Sequence, residues 1–273
     1  MYPPLVVLTD FSAVANRGLS YAAALALHLK THLVLLHVRH DALLAPDEHS
    51  RRANRPAARQ TEQALLDLAA DQPVRTEVDI SEQTLPDAVQ HAVRLHHPLL
   101  LVLGRPGPAT DPEQTVTSTV MHLLRDALYP LLVVPTVGRD AFPPRRLLLA
   151  VDGEPFSLYP SENVLRRLLS VTKGSLDVVQ VTDDQHARHD PLAVLSSIRV
   201  NEIVDSLPSN RLHQVYQSTV VEGVLREAAR LEADLLVVVA RRHSLLGGLF
   251  HRSVTAQLIQ QSPIPVLLLP ADN

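Results

Sequence analysis

The chain has no cysteine and no tryptophan, and of its 25 lysines and arginines only Lys30 and Lys173 are lysines. Without cysteine there is no disulfide framework, no thiolate nucleophile and no thiolate metal site, so a cytoplasmic location is the default expectation. Neither lysine stands in a GxxxxGK[ST] loop, which excludes the usual P-loop nucleotide hydrolase. Aromatic residues make up 3% of the chain, too few for the stacking platforms that hold single-stranded nucleic acid. A net charge of −4 supplies no basic field for a polyanion. Uninterrupted apolar runs, such as LLVVVA at 235–240, fall far short of the roughly 20 residues a membrane helix needs. The opening MYPPLVVLTD lacks a basic and then apolar leader and reads directly as a strand.

What is present is apolar and periodic. With 46% hydrophobic and 20% charged residues among 273, the composition is that of a folded globular chain with room for two domains of ordinary size. Residues 98–135 run apolar strand, Gly/Pro loop, Ser/Thr cluster, helix and a second apolar strand, and the layout recurs at 233–270 with a loop rich in arginine and histidine. Pro135 matches Pro270 and Ser118 matches Ser253, both 135 residues on, while Asp10 matches Asp152 at 142 and Val38 matches Val181 at 143. The drift marks a longer middle segment in the first copy, where a surface loop absorbs an insertion. Two copies are too few for a solenoid, so the repeat predicts two similar domains, 1–138 and 144–273, joined around TVGRDAFPP at 136–144.

Within the first copy the spacing predicts strands at 4–9, 32–38, 73–80, 99–104 and 129–135. Helices are expected at 13–30 behind a Ser12 cap, at 55–70, at 85–96 and after Thr117-Ser118. The 73–80 segment alternates like an outer strand, and His96-His97 mark the end of a helix. The second copy repeats the order, with strands at 146–151, 175–181, 211–218, 234–239 and 265–270. Its helices are expected around 158–171, near 192–206, over 219–232 and from about 253. Near-continuous Leu/Val strands alternating with helices indicate parallel sheets covered on both faces. The predicted fold class is α/β: two tandem doubly wound domains, each a five-stranded parallel sheet flanked by helices.

Ligands of such sheets bind beyond the carboxyl ends of the strands, where strand order reverses. In the first copy Asp10, Val38 and Gly104 share that edge. Asp10 either closes a turn and caps the first helix or accepts hydrogen bonds from a base or sugar edge. The Val38 main chain is placed to read such an edge. Gly104 and Gly107 either form an ordinary loop or let the backbone approach phosphate. Thr117 and Ser118 stand at a helix start, where free N–H groups and the dipole cap or bind an anion.

These residues resemble the universal stress protein family in its tandem, two-domain form. The family's nucleotide loop, G-x2-G-x9-G-[S/T], is matched by Gly104-x2-Gly107-x9-Thr117-Ser118. LVVLTDFSAVANRGLSYAAALA, LVLLHV and YPLLVVP resemble the family's first strand and helix, second strand and fifth strand. The resemblance implies an adenine nucleotide α-hydrolase-like fold and an ATP site, with Mg²⁺. Asp10 and Val38 would hold adenine and ribose, and Gly104, Gly107, Thr117 and Ser118 would surround the phosphates. Two departures bear on the site. Thr117 replaces the third glycine, and Pro106 and Pro108 beside Gly107 remove N–H donors.

The second copy departs further. Val239, Arg242 and Arg252 stand where the three glycines would, leaving Ser253 and Asp152 as survivors. Arg241, Arg242, His243, His251, Arg252 and Ser253 form either a side-chain anion site or a basic loop that is solvated or salt-bridges the partner domain. His37, His40 and His49 show no metal-ligand spacing, and Arg51, Arg52, Arg55 and Arg59 read as a solvated helix face, the alternative being that one arginine folds over bound phosphates. Asp111 and Glu113 in the loop either recruit Mg²⁺ to a nucleotide or, with no metal, repel its phosphates. No Ser-His-Asp or paired-carboxylate arrangement points to catalysis. The expectation is a stress-response protein with a nucleotide-binding first domain and a structural or regulatory second one. The alternatives are an interaction module using the basic loop, or a slow ATP hydrolase. YPLLVVP and IPVLLLP read as apolar edges that require cover. The resemblance implies that they pair with each other within the chain, with a further homodimer open.

Overall fold

Leu/Val runs bury both faces of a parallel strand, and helices with one apolar stripe cover them. The computed structural model describes residues 2–39, 55–105, 120–124, 129–136, 142–159, 161–182, 191–205, 207–217, 219–241 and 254–271. By internal packing the chain divides into two compact units, Met1–Gly104 and Arg105–Asn273.

The first unit runs β1 (Leu5–Leu8), α1 (Ala13–Leu29), β2 (Leu33–Val38), α2 (Arg55–Ala70), β3 (Thr76–Ser81), α3 (Leu85–His96) and β4 (Leu100–Arg105, whose last residue counts with the second unit). All pairings are parallel, in the order β3-β2-β1-β4. Leu5–Val7, Leu33–Leu36 and Leu100–Val102 form its core. β3 is half-buried along its whole length, as its alternation predicts for an outer strand. Ser12 caps α1 by accepting from the Ala15 N–H at 3.1 Å. The α2 and α3 bounds coincide with the predicted ones, and His97, with φ 43°, ends α3 in the left-handed region.

In the second unit, residues 120–124 are helical. There follow β5 (Leu131–Pro135), β6 (Arg146–Val151), α4 (Glu162–Thr172), β7 (Ser175–Thr182), α5 (Pro191–Val200), β8 (Leu212–Tyr216), α6 (Val220–Arg230), β9 (Leu235–Arg241), α7 (Val254–Gln261) and β10 (Val266–Ala271). The order β8-β7-β6-β9-β10 is parallel throughout, and β5 joins β10 antiparallel, Leu131 opposite Leu268 and Val133 opposite Val266. Buried Arg105 donates to the Gln260 and Ser262 carbonyls, both at 2.7 Å, and so satisfies the end of α7. The two lysines of the chain play one part twice: Lys30 (φ 53°) and Lys173 (φ 51°) are the left-handed C-caps of α1 and α4.

The copies differ where the first helix begins. Instead of starting around residue 158, α4 starts at Glu162. Pro160 has no N–H and disfavours helical backbone in the residue before it, which delays the helix. The displaced main chain needs other partners. Asn201, buried at the end of α5, supplies two of them: its Oδ1 accepts from the Leu158 N–H at 2.6 Å and its Nδ2 donates to the Phe156 carbonyl at 2.9 Å. α5 correspondingly ends at Val200 rather than near 206.

Candidate functional site

In the first unit the chain runs outward from β1 to β2 to β3 and then returns to β4 on the other side of β1. The crevice at a reversal of this kind lies between the ends of β1 and β4. Asp10 follows β1 and is exposed, its Oδ1 accepting from the Ser12 N–H at 2.9 Å. That turn places Phe11 at φ 63°, a left-handed conformation that costs a bulky residue about 1–3 kcal/mol. At the end of β2, the Leu36 carbonyl accepts from the Thr9 N–H while the Arg39 N–H bonds the Ser81 carbonyl. Residues of a parallel strand face alternate neighbours, so the half-buried Val38 turns its main chain towards the end of β1 and Asp10. His37 Nδ1–H donates to the Thr9 carbonyl at 2.9 Å, which fixes its tautomer.

Gly104 sits at the end of β4, and there the glycine has a packing reason. A Cβ added to it would lie 2.1 Å from the Val14 carbonyl oxygen, and one added to Gly18 would lie 3.0 Å from the Gly104 nitrogen. α1 therefore approaches β4 as closely as two glycines allow.

The second unit has the same reversal between β6 and β9, and here a side chain fills the corner. Asp152 repeats the turn, accepting from the Glu154 N–H at 3.1 Å, with Gly153 at φ 92° in the place of Phe11. Arg241, the last residue of β9, is 3% exposed. Its Nε and Nη2 bond the two Asp152 oxygens at 2.7 and 2.8 Å, a planar fork on a carboxylate. Its Nη1 donates to the Pro155 carbonyl at 2.9 Å and Nη2 also to the Glu154 carbonyl at 2.8 Å. Those carbonyls are available because α4 starts late. Val239 holds the register position of Gly104, since Leu235 pairs with Leu147 as Leu100 pairs with Leu5.

Of the residues singled out from sequence, Asp10, Val38 and Gly104 converge on one edge. Gly107, Thr117 and Ser118 lie outside the described residues, as do Arg242, His243, His251, Arg252, Ser253, His40, His49, Asp111 and Glu113. Arg241 faces inward to Asp152, so its guanidinium is already engaged by the protein. The Arg241–Asp152 pair escaped sequence reasoning although both residues were named. Their place at equivalent strand ends, one on each side of the reversal, was the available signal. Among the described residues no group of three or more His, Asp or Glu side chains could hold a metal ion. No described helix is long and apolar enough to cross a membrane.

The sequence profile of the Universal stress protein family matches residues 1–135 and again residues 144–270. No curated protein sequence matches the chain. Among solved structures it is similar to a universal stress protein from Archaeoglobus fulgidus DSM 4304, with 14% identity, 98% of each chain covered and a TM-score of 0.69. It is also similar to a protein of unknown function from Pseudomonas aeruginosa PAO1, at 16% identity, with 98% of this chain and 92% of that one covered and a TM-score of 0.57. A third likeness is to the cytoplasmic domain of a prokaryotic cation chloride cotransporter, at 10% identity, with 99% and 95% covered and a TM-score of 0.51. At these identities the structural likenesses speak to the fold.

Proposed function

The chain belongs to the universal stress protein family, and from that premise we propose that its first repeat binds an adenine nucleotide while the second serves a structural or regulatory role. The observation that carries this reading is the contrast between two aspartates in the same turn. Both are exposed at their strand ends, but Asp152 is gripped by a buried arginine, whereas no described arginine holds Asp10. A ligand could use the first and would have to displace Arg241 to reach the second. ATP, with Mg²⁺ as counter-ion, is the leading ligand. Asp10 and the Val38 main chain would meet the base and ribose, and Gly104, Gly107, Thr117 and Ser118 would lie along the phosphates. The prolines flanking Gly107 leave this loop fewer backbone N–H donors than the family pattern has, and Thr117 adds a Cβ where the third glycine would stand. The repeats are read as domains 1–138 and 144–273 of a cytoplasmic protein, meeting through β5 and β10; their antiparallel register supports that junction. A further homodimer is compatible with this arrangement.

Calorimetric titration of ATP·Mg²⁺ into the wild type, Asp10→Ala and Asp152→Ala tests the reading. Wild type is expected to bind one nucleotide per chain. Asp10→Ala should weaken binding about tenfold or more, the loss of a hydrogen bond to a charged group, and Asp152→Ala should leave the affinity unchanged. No heat at sub-millimolar ATP would sink the proposal. Saturable phosphate release would promote slow hydrolysis over plain binding.

A further inference from the structure

The turn after β1 holds an aromatic ring where its copy in the second repeat holds glycine. Phe11 adopts φ 63° and is 37% exposed, although glycine takes this backbone without a steric penalty. Its ring centroid lies 5.2 Å from that of His37, with the planes inclined at 58°. His37 is in turn fixed by its bond to the Thr9 carbonyl. In the second repeat the two positions carry Gly153 and Gln180; the latter is buried and accepts from Gln214 Nε2 at 3.0 Å.

Both rings thus occur in the repeat whose aspartate is held by no described arginine, and both are replaced in the repeat whose aspartate is held by Arg241. The turn itself does not require a ring, since Asp152-Gly153-Glu154 closes in the same way. Burial does not require one either, because more than a third of Phe11 faces water. We propose that Phe11, backed by His37, is the wall against which the flat base of a nucleotide stacks. This rests on the reading of the first repeat as an adenine-nucleotide site. A base with its face on Phe11 and its edge towards Asp10 and the Val38 main chain is held on two sides. Such a site selects a nucleobase over a bare phosphate chain.

The test is calorimetric titration of ATP·Mg²⁺, and separately of inorganic triphosphate with Mg²⁺, into wild type, Phe11→Gly and Phe11→Tyr. Glycine keeps the left-handed turn, and a melting transition verifies that the variant is folded. Phe11→Gly should bind ATP about tenfold or more weakly, as expected for a lost stacking surface, with triphosphate affinity unchanged. Phe11→Tyr, which keeps the ring, should stay within about threefold of wild type. ATP affinity unchanged in Phe11→Gly overturns the wall and leaves the nucleotide reading standing. An equal loss for triphosphate also overturns it, because the effect would then not lie at the base. Wild type that binds no ATP overturns both.

Discussion

A guanidinium that is 3% exposed cannot be left without acceptors, and Arg241 finds them in one carboxylate and two carbonyls. Arg241→Ala leaves those oxygens unsatisfied and opens a cavity at the β6–β9 reversal. The expected loss is about 2–3 kcal/mol, discounted from a fully buried ion pair because the Asp152 side chain is 52% exposed. Arg241→Lys cannot reproduce the fork and should recover less than half of this loss. Asp152→Asn keeps both carbonyl bonds but strips the buried guanidinium of its counter-charge, so it should cost about as much as Arg241→Ala. Urea unfolding of the three variants gives the ranking, and an alanine variant as stable as wild type would remove Arg241 from its structural role. Sequence reasoning reached both residues but not the bond between them, since they lie 89 positions apart with no local pattern joining them. Gly104 was legible as a special position, yet half of its reason, the contact with Val14, lies in packing that a loop motif does not display.

Elements were far more legible than contacts. Leu/Val strands and amphipathic helices carry their own periodicity, so α2, α3 and β6 stand where the spacing puts them. α4 departs because one proline outweighs an otherwise helical pattern. What periodicity could not reveal is the polar lattice joining β7, β8 and α6. Buried Asp177 accepts from Arg211 at 2.6 Å and pairs with His213 Nε2 at 2.9 Å. His213 Nδ1 lies 3.3 Å from Glu227, and Arg230 bonds both Glu227 oxygens, at 2.9 and 2.5 Å. The Arg230 hydrogen bonds, aided by the Arg230 and His213 charges and opposed by burial and Asp177, hold the Glu227 carboxyl below its ordinary range. A carboxyl depressed in the folded state stabilises fully above its unfolded pKa, about 4.3, and that contribution fades as pH falls below it. The unfolding free energy should therefore drop below about pH 4.5, and Glu227→Gln should be less stable at neutral pH with a shallower acid loss. Parallel pH profiles for the two proteins would exclude Glu227 from the lattice's stabilising charge.

At the scale of the molecule, the absence of cysteine becomes an experimental advantage. β5 and β10 were readable as apolar edges needing cover, but an edge does not announce its partner: the other strand of the same chain and the same strand of another copy are both antiparallel solutions. The register places Val133 directly opposite Val266. Opposed residues of an antiparallel pair have Cα atoms about 4.5–5.5 Å apart, within the span a disulfide bridges. With no native thiols to compete, the double variant Val133→Cys/Val266→Cys should lose both thiols on mild oxidation while remaining a single chain on a non-reducing gel. Val133→Cys/Leu267→Cys, one residue out of register, directs one thiol to the other face of the sheet and should keep both free. A disulfide-linked dimer from the first variant would mean that β5 and β10 pair between copies. Thiols that stay free in both variants would mean that the two strands are not joined in this register at all.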